Sequence, residues 1–346
     1  MSQTYLPSMT RIADFDKNPY DVHPLGKSRW SSGDYVLTEV TGVPSELYQV
    51  ELCSGEMVPV EPGDQVIGAL GHREATLEGV GSYQDVVSGK MNALTSAGLL
   101  GVFTSFSIML PRPLSLVYRG HIVRDGRKLT MADFALRSDE SGFAAATILI
   151  VGTSMSAGKS VIGRRICEIF AAAGLRAIGL KLTGAGRYRD IASFRRCGAS
   201  EVYDFVDAGL PSTVVPENEF RAAIRPLLAH ISSRKPDFVI AEAGASPLEP
   251  YNGAAAIDEL GDNIRCTILC ASDPYAVIGV RDAFALTPDL VAGPAAQTSA
   301  AVKLVRKLTG LQALNVIDRR VMPEFRDFLA TRLNTRLSPS RAQDAR

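Results

Sequence analysis

The chain has no excess of either charge: Lys+Arg and Asp+Glu stand at 37 each over 346 residues. A surface without a net field does little to draw in a polyanion, so the composition argues against nucleic acid and anionic membranes as partners. Long apolar runs are missing too. The most apolar early stretch, 97–110, is too short to span a bilayer and carries Thr104, Ser105 and Ser107, so it reads as a buried strand or helix. Residues 1–20 hold Asp14, Asp16 and two prolines where a signal peptide has an unbroken apolar segment, and the expected location is the cytoplasm. Cysteine is scarce. The five cysteines (Cys53, Cys167, Cys197, Cys266 and Cys270) form no CxxC pair and have no histidine at zinc spacing, so neither structural disulfides nor zinc are expected. Cys266 and Cys270 lie in an apolar run, where a free thiol acts as a small hydrophobe.

What the sequence does contain is core. Hydrophobic residues make up 46% and charged residues 21%, as in a folded chain. Its length suggests two domains of roughly 150 residues each. The pattern shifts near residue 140. Before it, short β-like runs at 35–37, 48–52 and 65–70 are separated by turn signals such as Glu61-Pro-Gly-Asp64. Runs at 116–118 and 121–123 flank a bend at Arg119-Gly120. Residues 1–140 therefore read as a small β-rich α+β domain with one or two helices. The polar stretch 137–142 is a linker.

Beyond it, apolar runs at 147–151, 177–180, 238–241, 267–270, 290–292 and 314–317 alternate with Ala-rich helical stretches. In the first of these, 160–173, Val161, Ile166, Ile169 and Phe170 recur at helical spacing. Fully apolar short strands alternating with helices predict a doubly wound, mostly parallel α/β domain over 145–320. A C-terminal helix and tail occupy 321–346, with the polar end from 337 frayed.

The strongest motif sits where that domain begins. An apolar strand runs into Gly152-Thr-Ser-Met-Ser-Ala-Gly-Lys-Ser160, and a helix follows. Strand, glycine-bearing loop, Lys-Ser and helix together are the context of a phosphate-binding loop. Backbone N–H groups around 156–159 wrap a phosphate at the helix N-terminus, where orphan donors and the dipole favour anions. Gly158 lets backbone come close, Lys159 carries charge to the β/γ-phosphates, and the Ser160 hydroxyl reaches Mg²⁺. The expected nucleotide-binding set is Gly152, Thr153, Ser156, Ala157, Gly158, Lys159 and Ser160. Five residues, one more than the strict pattern, separate the glycines, so Thr153 stands in the first glycine's place. Glu242, closing the apolar run after Asp237, takes the position from which a Walker B acid reaches the metal, and Ser160 with Glu242 is the expected metal pair.

Gly152-Thr with Gly158-Lys-Ser160 resembles the dethiobiotin-synthetase-like class of P-loop proteins, and Glu242-Ala-Gly-Ala-Ser-Pro247 resembles that class's acidic, glycine-rich strand end. A closer resemblance is to the P-loop domain of the D-glutamate N-acetyltransferase-like family. It is carried by Thr183-Gly184, by Asp204-Phe205 with Ala208-Gly209, and by the segment 242–250, and it covers about residues 145–320. The first resemblance implies ATP and Mg²⁺ used to activate a carboxylate or carbamate. The second implies an acyl-CoA donor such as acetyl-CoA and N-acylation of an amino acid. Both imply a small carboxylate-bearing substrate, and related domains imply a homodimer. A third reading, a nucleotide-switched binding protein, lacks the metal-binding tracts or guanine-reading motif usual for that class.

Candidates for the second substrate follow the next strand. Lys181, Thr183 and Arg187 flank a glycine-rich turn and suit an acidic acceptor or a transferring phosphate; with Lys159 they complete the expected catalytic set. Arg187 and Arg189 also read as ordinary loop charges. Asp204 and Asp207 suit a substrate amine or Mg²⁺, and Asp207 equally suits a turn cap. Ser272-Asp273-Pro274 is either a substrate contact or a turn. His72 and His121, each near arginine and glycine, are either acid/base candidates or hydrogen-bonded structural histidines.

Overall fold

The computed structural model describes residues 2–42, 49–138, 142–244 and 246–338. Tyr48 of an expected strand, 139–141 of the linker, Ala245 of the strand-end turn and the tail from 339 lie outside the described residues. The chain forms two compact units. The first comprises Met1–Arg137, Gly184–Arg189 and Asp204–Leu227; the second comprises Ser138–Thr183, Asp190–Tyr203 and Leu228–Arg346.

Strands of the first unit are β1 (Thr4–Tyr5), β2 (Asp21–His23), β3 (Tyr35–Val40), β4 (Gln49–Glu51), β5 (Met57–Pro59) and β6 (Gln65–Leu70). They continue with β7 (His72–Ala75), β8 (Gly79–Ser82), β9 (Lys90–Ala93), β10 (Leu99–Phe106), β11 (Ser115–Arg124) and β12 (Arg127–Lys128). β3 pairs with β6 and β11, β11 with β9, and β9 with β10, all antiparallel. β10 then pairs in parallel with β6 and closes the ring. Closure removes free sheet edges and encloses a core of Val36, Val66, Leu70, Met91, Leu100 and Leu116.

Three expectations for this half need correction. Among its described residues the segment 1–137 has 3-10 turns and no α-helix, because its apolar residues alternate at the strand period between closely spaced turns. The expected bend at Arg119-Gly120 is a bulge within the continuous strand β11. Gly120 is required there by packing: a Cβ would sit 2.6 Å from Cγ1 of Val22 on the neighbouring β2. In 97–110 a strand covers Leu99–Phe106 and is buried only at Leu99, Leu100 and Gly101; Thr104 and Ser105 on it, and Ile108 and Met109 beyond it, are exposed.

His121 is the hydrogen-bonded structural histidine of the two alternatives. It is fully buried, with Nδ1 2.6 Å from the Tyr118 hydroxyl and Nε2 3.2 Å from Asp34 Oδ2. Lys128 Nζ donates to the same carboxylate oxygen at 2.7 Å. His72 is half-buried against Tyr83, and burial pushes its pKa down while Glu74 and Asp85 oppose the shift.

In the second unit β13 (Thr147–Gly152), β14 (Ala177–Thr183), β15 (Glu201–Asp204), β16 (Phe238–Ala243), β17 (Ile264–Cys270) and β18 (Leu290–Ala292) form one sheet in the order β15-β14-β16-β13-β17-β18. The β14/β16, β16/β13, β13/β17 and β17/β18 pairs are parallel. The helices of the chain are α1 (Lys159–Ala172), α2 (Tyr188–Arg196), α3 (Glu217–Ser233), α4 (Gly253–Leu260), α5 (Pro274–Phe284), α6 (Ser299–Thr309) and α7 (Met322–Leu333), with 188–189 of α2 and 217–227 of α3 assigned to the first unit. Ile148, Leu149, Ile150 and Val151 of β13 are fully buried, as a central strand covered on both faces requires. The doubly wound parallel domain is thus present.

Two strands differ from expectation. β15 escaped the sequence reading because acids stand at both its ends, Glu201 and Asp204. The strand expected at 314–317 does not form. After Gly310 caps α6, the chain meets β18 at one bridge, Val291 with Ala313, held by Val291 N to Gln312 O and Leu314 N to Val291 O. No helix among the described residues is long and apolar enough to cross a membrane.

α1 buries Ile162, Ile166, Ile169 and Phe170 against the sheet, and Phe170 meets Phe238 of β16 at 5.1 Å between ring centroids. At Gly163 the helix passes the Phe194 ring so closely that an added Cβ would fall within it. Replacing Gly163 with alanine forces the buried Phe194 to move. The expected result is a loss of about 1–3 kcal/mol in chemical denaturation despite alanine's better helix propensity.

Candidate functional site

The loop between β13 and α1 is shaped by two left-handed residues, Ser156 at φ 61° and Gly158 at φ 93°. Gly158 is also the N-cap of α1, so no side chain occupies the end of the helix where anions are favoured. Gly152 ends β13, and a Cβ there would lie 2.6 Å from Lys159 Nζ. The glycine therefore makes room for the lysine to fold back over the loop. Lys159 Nζ donates to the Ser154 carbonyl at 2.9 Å, and the residue is only 6% exposed. Thr153 anchors the loop to the end of β17: its N–H donates to Cys270 O at 3.0 Å, and its hydroxyl accepts from Ser272 N at 3.0 Å.

Register brings the acid into place. Glu242 of β16 lies opposite Ile150 of β13 and Lys181 of β14. It is buried, and its Oε2 accepts from the Ser160 hydroxyl at 3.0 Å. The carboxylate is therefore not a solvated charge at a strand end. A hydroxyl beside a buried carboxylate is a hard-oxygen donor pair that suits Mg²⁺. Among the described residues no group of three or more His, Cys, Asp or Glu side chains could hold a metal ion. A divalent ion would thus depend on this pair together with phosphate and water.

Burial pushes the Lys159 pKa down; Glu242, Cys270 and Glu249 oppose that shift and Lys181 reinforces it. Two lysines and two carboxylates thus share one electrostatic neighbourhood at the strand ends. The Cys270 thiol is pushed up to about 12 by burial, partly offset by Lys159, which leaves it a packing group.

The chain was also compared with known proteins. No family model matches it, and no curated protein matches it. Solved structures with similarity include chloroplast FtsY from Physcomitrella patens, at TM-score 0.35 and 12% identity, covering 57% of this chain and 70% of that one. HypB from Helicobacter pylori in complex with nickel scores 0.37 at 15% identity, covering 55% and 87%. A ParA family ATPase from Chlorobium tepidum TLS scores 0.30 at 15% identity, covering 54% and 93%. At such scores the fold is read from the strand order and the loop themselves. The second unit has a P-loop NTPase fold.

Within this P-loop unit, Gly152, Thr153, Ser156, Ala157, Gly158, Lys159 and Ser160 form one strand–loop–helix turn, with Glu242 against it. Lys181 is buried and its Nζ donates to Asp190 Oδ2 at 2.9 Å. Thr183 is fully buried, its hydroxyl donating to Gly244 O at 3.2 Å. Arg187 belongs to the other compact unit and lies 3.9 Å from Glu78. Asp204 and Asp207 also belong there, and both bind Arg11 at 2.7 Å. Asp273 is an N-cap, accepting from Tyr275 N and Ala276 N, so the turn reading of Ser272-Asp273-Pro274 holds. Asp237 accepts from Arg176 N at 2.7 Å at the far end of its strand.

The sequence reading missed Asp190, Glu249 and Gly293. Asp190 is the third residue of α2, and its acidic first-turn position was the available signal. Glu249 lies inside the segment that carries the family resemblance, and its Oε2 accepts from Ser246 N at 2.5 Å. Gly293 follows β18 at φ 80°, and a Cβ there would collide with Ala157 O. Nothing local in Ala292-Gly293-Pro294 pointed to a loop 135 residues away in sequence.

Proposed function

We propose that the P-loop unit binds Mg-ATP and transfers its γ-phosphoryl group to a small carboxylate- or amino-acid-type acceptor, activating it. The observation that carries this is Lys159, buried and folded over its own loop beside the Ser160–Glu242 hydrogen bond. The acceptor class comes from the dethiobiotin-synthetase-like resemblance, and a cytoplasmic homodimer belongs to the same proposal. In such a transfer an acceptor oxygen bonds to phosphorus as the bond to the β,γ-bridging oxygen breaks and ADP leaves. Protein groups then work by position and charge. Lys159 offsets charge on the β/γ-phosphates. The backbone of 156–159 cradles them, and Lys181, held by Asp190, faces the acceptor, while the buried Thr183 ties the strand end to Gly244 O. Ser160 and Glu242 would hold Mg²⁺, which would supply neutralisation of phosphate charge.

The test is thermal stability of the full chain with ATP, GTP, ADP, CoA and acetyl-CoA, each with and without Mg²⁺. A ligand that binds only the folded state raises the melting temperature. Stabilisation by ATP that requires Mg²⁺, followed by acceptor-dependent ADP release with a carboxylate panel, is the expected result. Stabilisation by acetyl-CoA alone, indifferent to Mg²⁺, overturns the proposal in favour of acyl transfer.

A proton signature follows from the lysine. Its pKa is lowered in the free protein, and neighbouring phosphate raises it, so ATP binding takes up a proton at alkaline pH. Affinity should fall as pH rises through the lowered pKa. Calorimetry in buffers of different ionisation enthalpy reads this directly, and Lys159→Met should abolish the uptake.

A further inference from the structure

The first unit contains a cavity of about 370 Å³ that the phosphate-loop reading does not use. Four arginines line it, Arg73, Arg112, Arg187 and Arg189, and among the described residues one carboxylate, Glu78, lines it with them. Arg73 is 5% exposed, and its two Nη atoms donate to Leu94 O and Glu78 Oε2. Its Nε has no hydrogen-bond partner among the described residues, and neither does the buried Thr95 hydroxyl on the same wall. A buried donor left unmade is costly, so a native protein rarely keeps two in one cavity wall without a use for them.

The charges are unevenly answered. Arg187 lies 3.9 Å from Glu78, which Arg73 already engages, and Arg189 lies 3.9 Å from the fully buried Glu51. Arg112 has no carboxylate partner among the described residues. One side of the cavity is aromatic, with the Phe103 and Phe106 rings 4.7 Å apart between centroids. Guanidinium forks recognise planar oxyanions, and rings take the apolar remainder of a ligand. The volume is at the small end for a ligand site.

We infer that this cavity is a binding site for a small organic anion, a carboxylate or phosphate ester with an apolar portion. Its lining residues all belong to the first unit, and it does not depend on what the phosphate loop binds. Arg112 and Arg187 supply the selectivity for the anion. Removing them strands no buried carboxylate, since Glu78 keeps Arg73 and Glu51 keeps Arg189.

The experiment uses the full chain carrying Lys159→Ala, so that anions held by the phosphate loop do not register. Phenyl phosphate, phenylacetate and the neutral phenylacetamide are titrated by calorimetry at low and high salt. Saturable, salt-sensitive binding of either anion without binding of the amide is expected, and the stronger of the two anions identifies the head group. Arg112→Ala with Arg187→Ala should weaken it about tenfold or more at unchanged melting temperature. If the double variant melts early, Arg112→Ala alone is measured, because that side chain is exposed and has no carboxylate partner among the described residues. Three results would overturn the site: no binding of either anion, equal binding of the amide, or affinity untouched by both arginine variants.

Discussion

Lys159→Ala is expected to remove nucleotide-dependent turnover by a factor on the order of 10²–10³ while the apo protein melts within a few degrees of wild type. The asymmetry has a physical cause. In the free protein the ammonium is desolvated, its pKa is lowered by burial, and it donates to Ser154 O. Burial makes that charge costly to the folded apo protein, and it has full value only when phosphate stands beside it in the same low-dielectric pocket. The measurements are steady-state ADP release and the Mg²⁺-dependent thermal shift with ATP. Lys159→Arg separates charge from geometry: it keeps the cation and forces a larger head group into space that Gly152 leaves for an ammonium. A fully active alanine variant would end the phosphate-loop assignment.

The largest stability effect is expected at a residue far from any motif. Arg11 places one Nη2 2.7 Å from Asp204 Oδ1 and 2.7 Å from Asp207 Oδ2, and its guanidinium lies 4.7 Å over the Tyr188 ring. Burial works against the Arg11 charge, but the two carboxylates outweigh it and its pKa rises. Asp204 is almost fully buried, and its Oδ2 has no hydrogen-bond partner among the described residues. Arg11→Ala leaves the buried Asp204 and the partly buried Asp207 carboxylates facing each other, and about 3–5 kcal/mol of stability should be lost.

The loss has a pH signature of definite sign. Burial already raises the Asp207 pKa, with Arg11 opposing and Asp204 reinforcing. Without the guanidinium the folded pKa rises further above its unfolded value. A carboxylate of that kind favours folding below the unfolded pKa and loses that contribution as pH rises through the folded one. The alanine variant should therefore regain stability on acidification into the carboxylate range, relative to wild type. Denaturation midpoints across pH measure it, and Arg11→Lys should recover part of the loss. A variant with wild-type midpoints at neutral pH would show that the pair does not depend on Arg11.

Both positions mark what a linear reading sees. Lys159 was legible because a phosphate loop is local: strand, glycine, lysine and helix start fall within a few residues, and each piece of its chemistry is carried by the backbone beside it. Glu242 was legible for a related reason, as an acid closing an apolar run. Arg11 was not, because nothing in residues 8–14 refers to a pair of acids beyond residue 200. The same holds for Asp190 beneath Lys181 and for Gly293 against Ala157.

The sequence by itself determined the alternation of buried strands and helices in the second half, the phosphate loop and its acid, and the β character of the first half, since each follows from residue period and turn chemistry over short windows. Only the tertiary structure decided that β10 returns to β6 and closes a barrel, and that 184–189 and 204–227 belong with the first unit. It also decided that four arginines from three separate segments line one cavity. Pairing partners and charge clusters are long-range matters of register and packing, and a one-dimensional pattern carries no distance between segments.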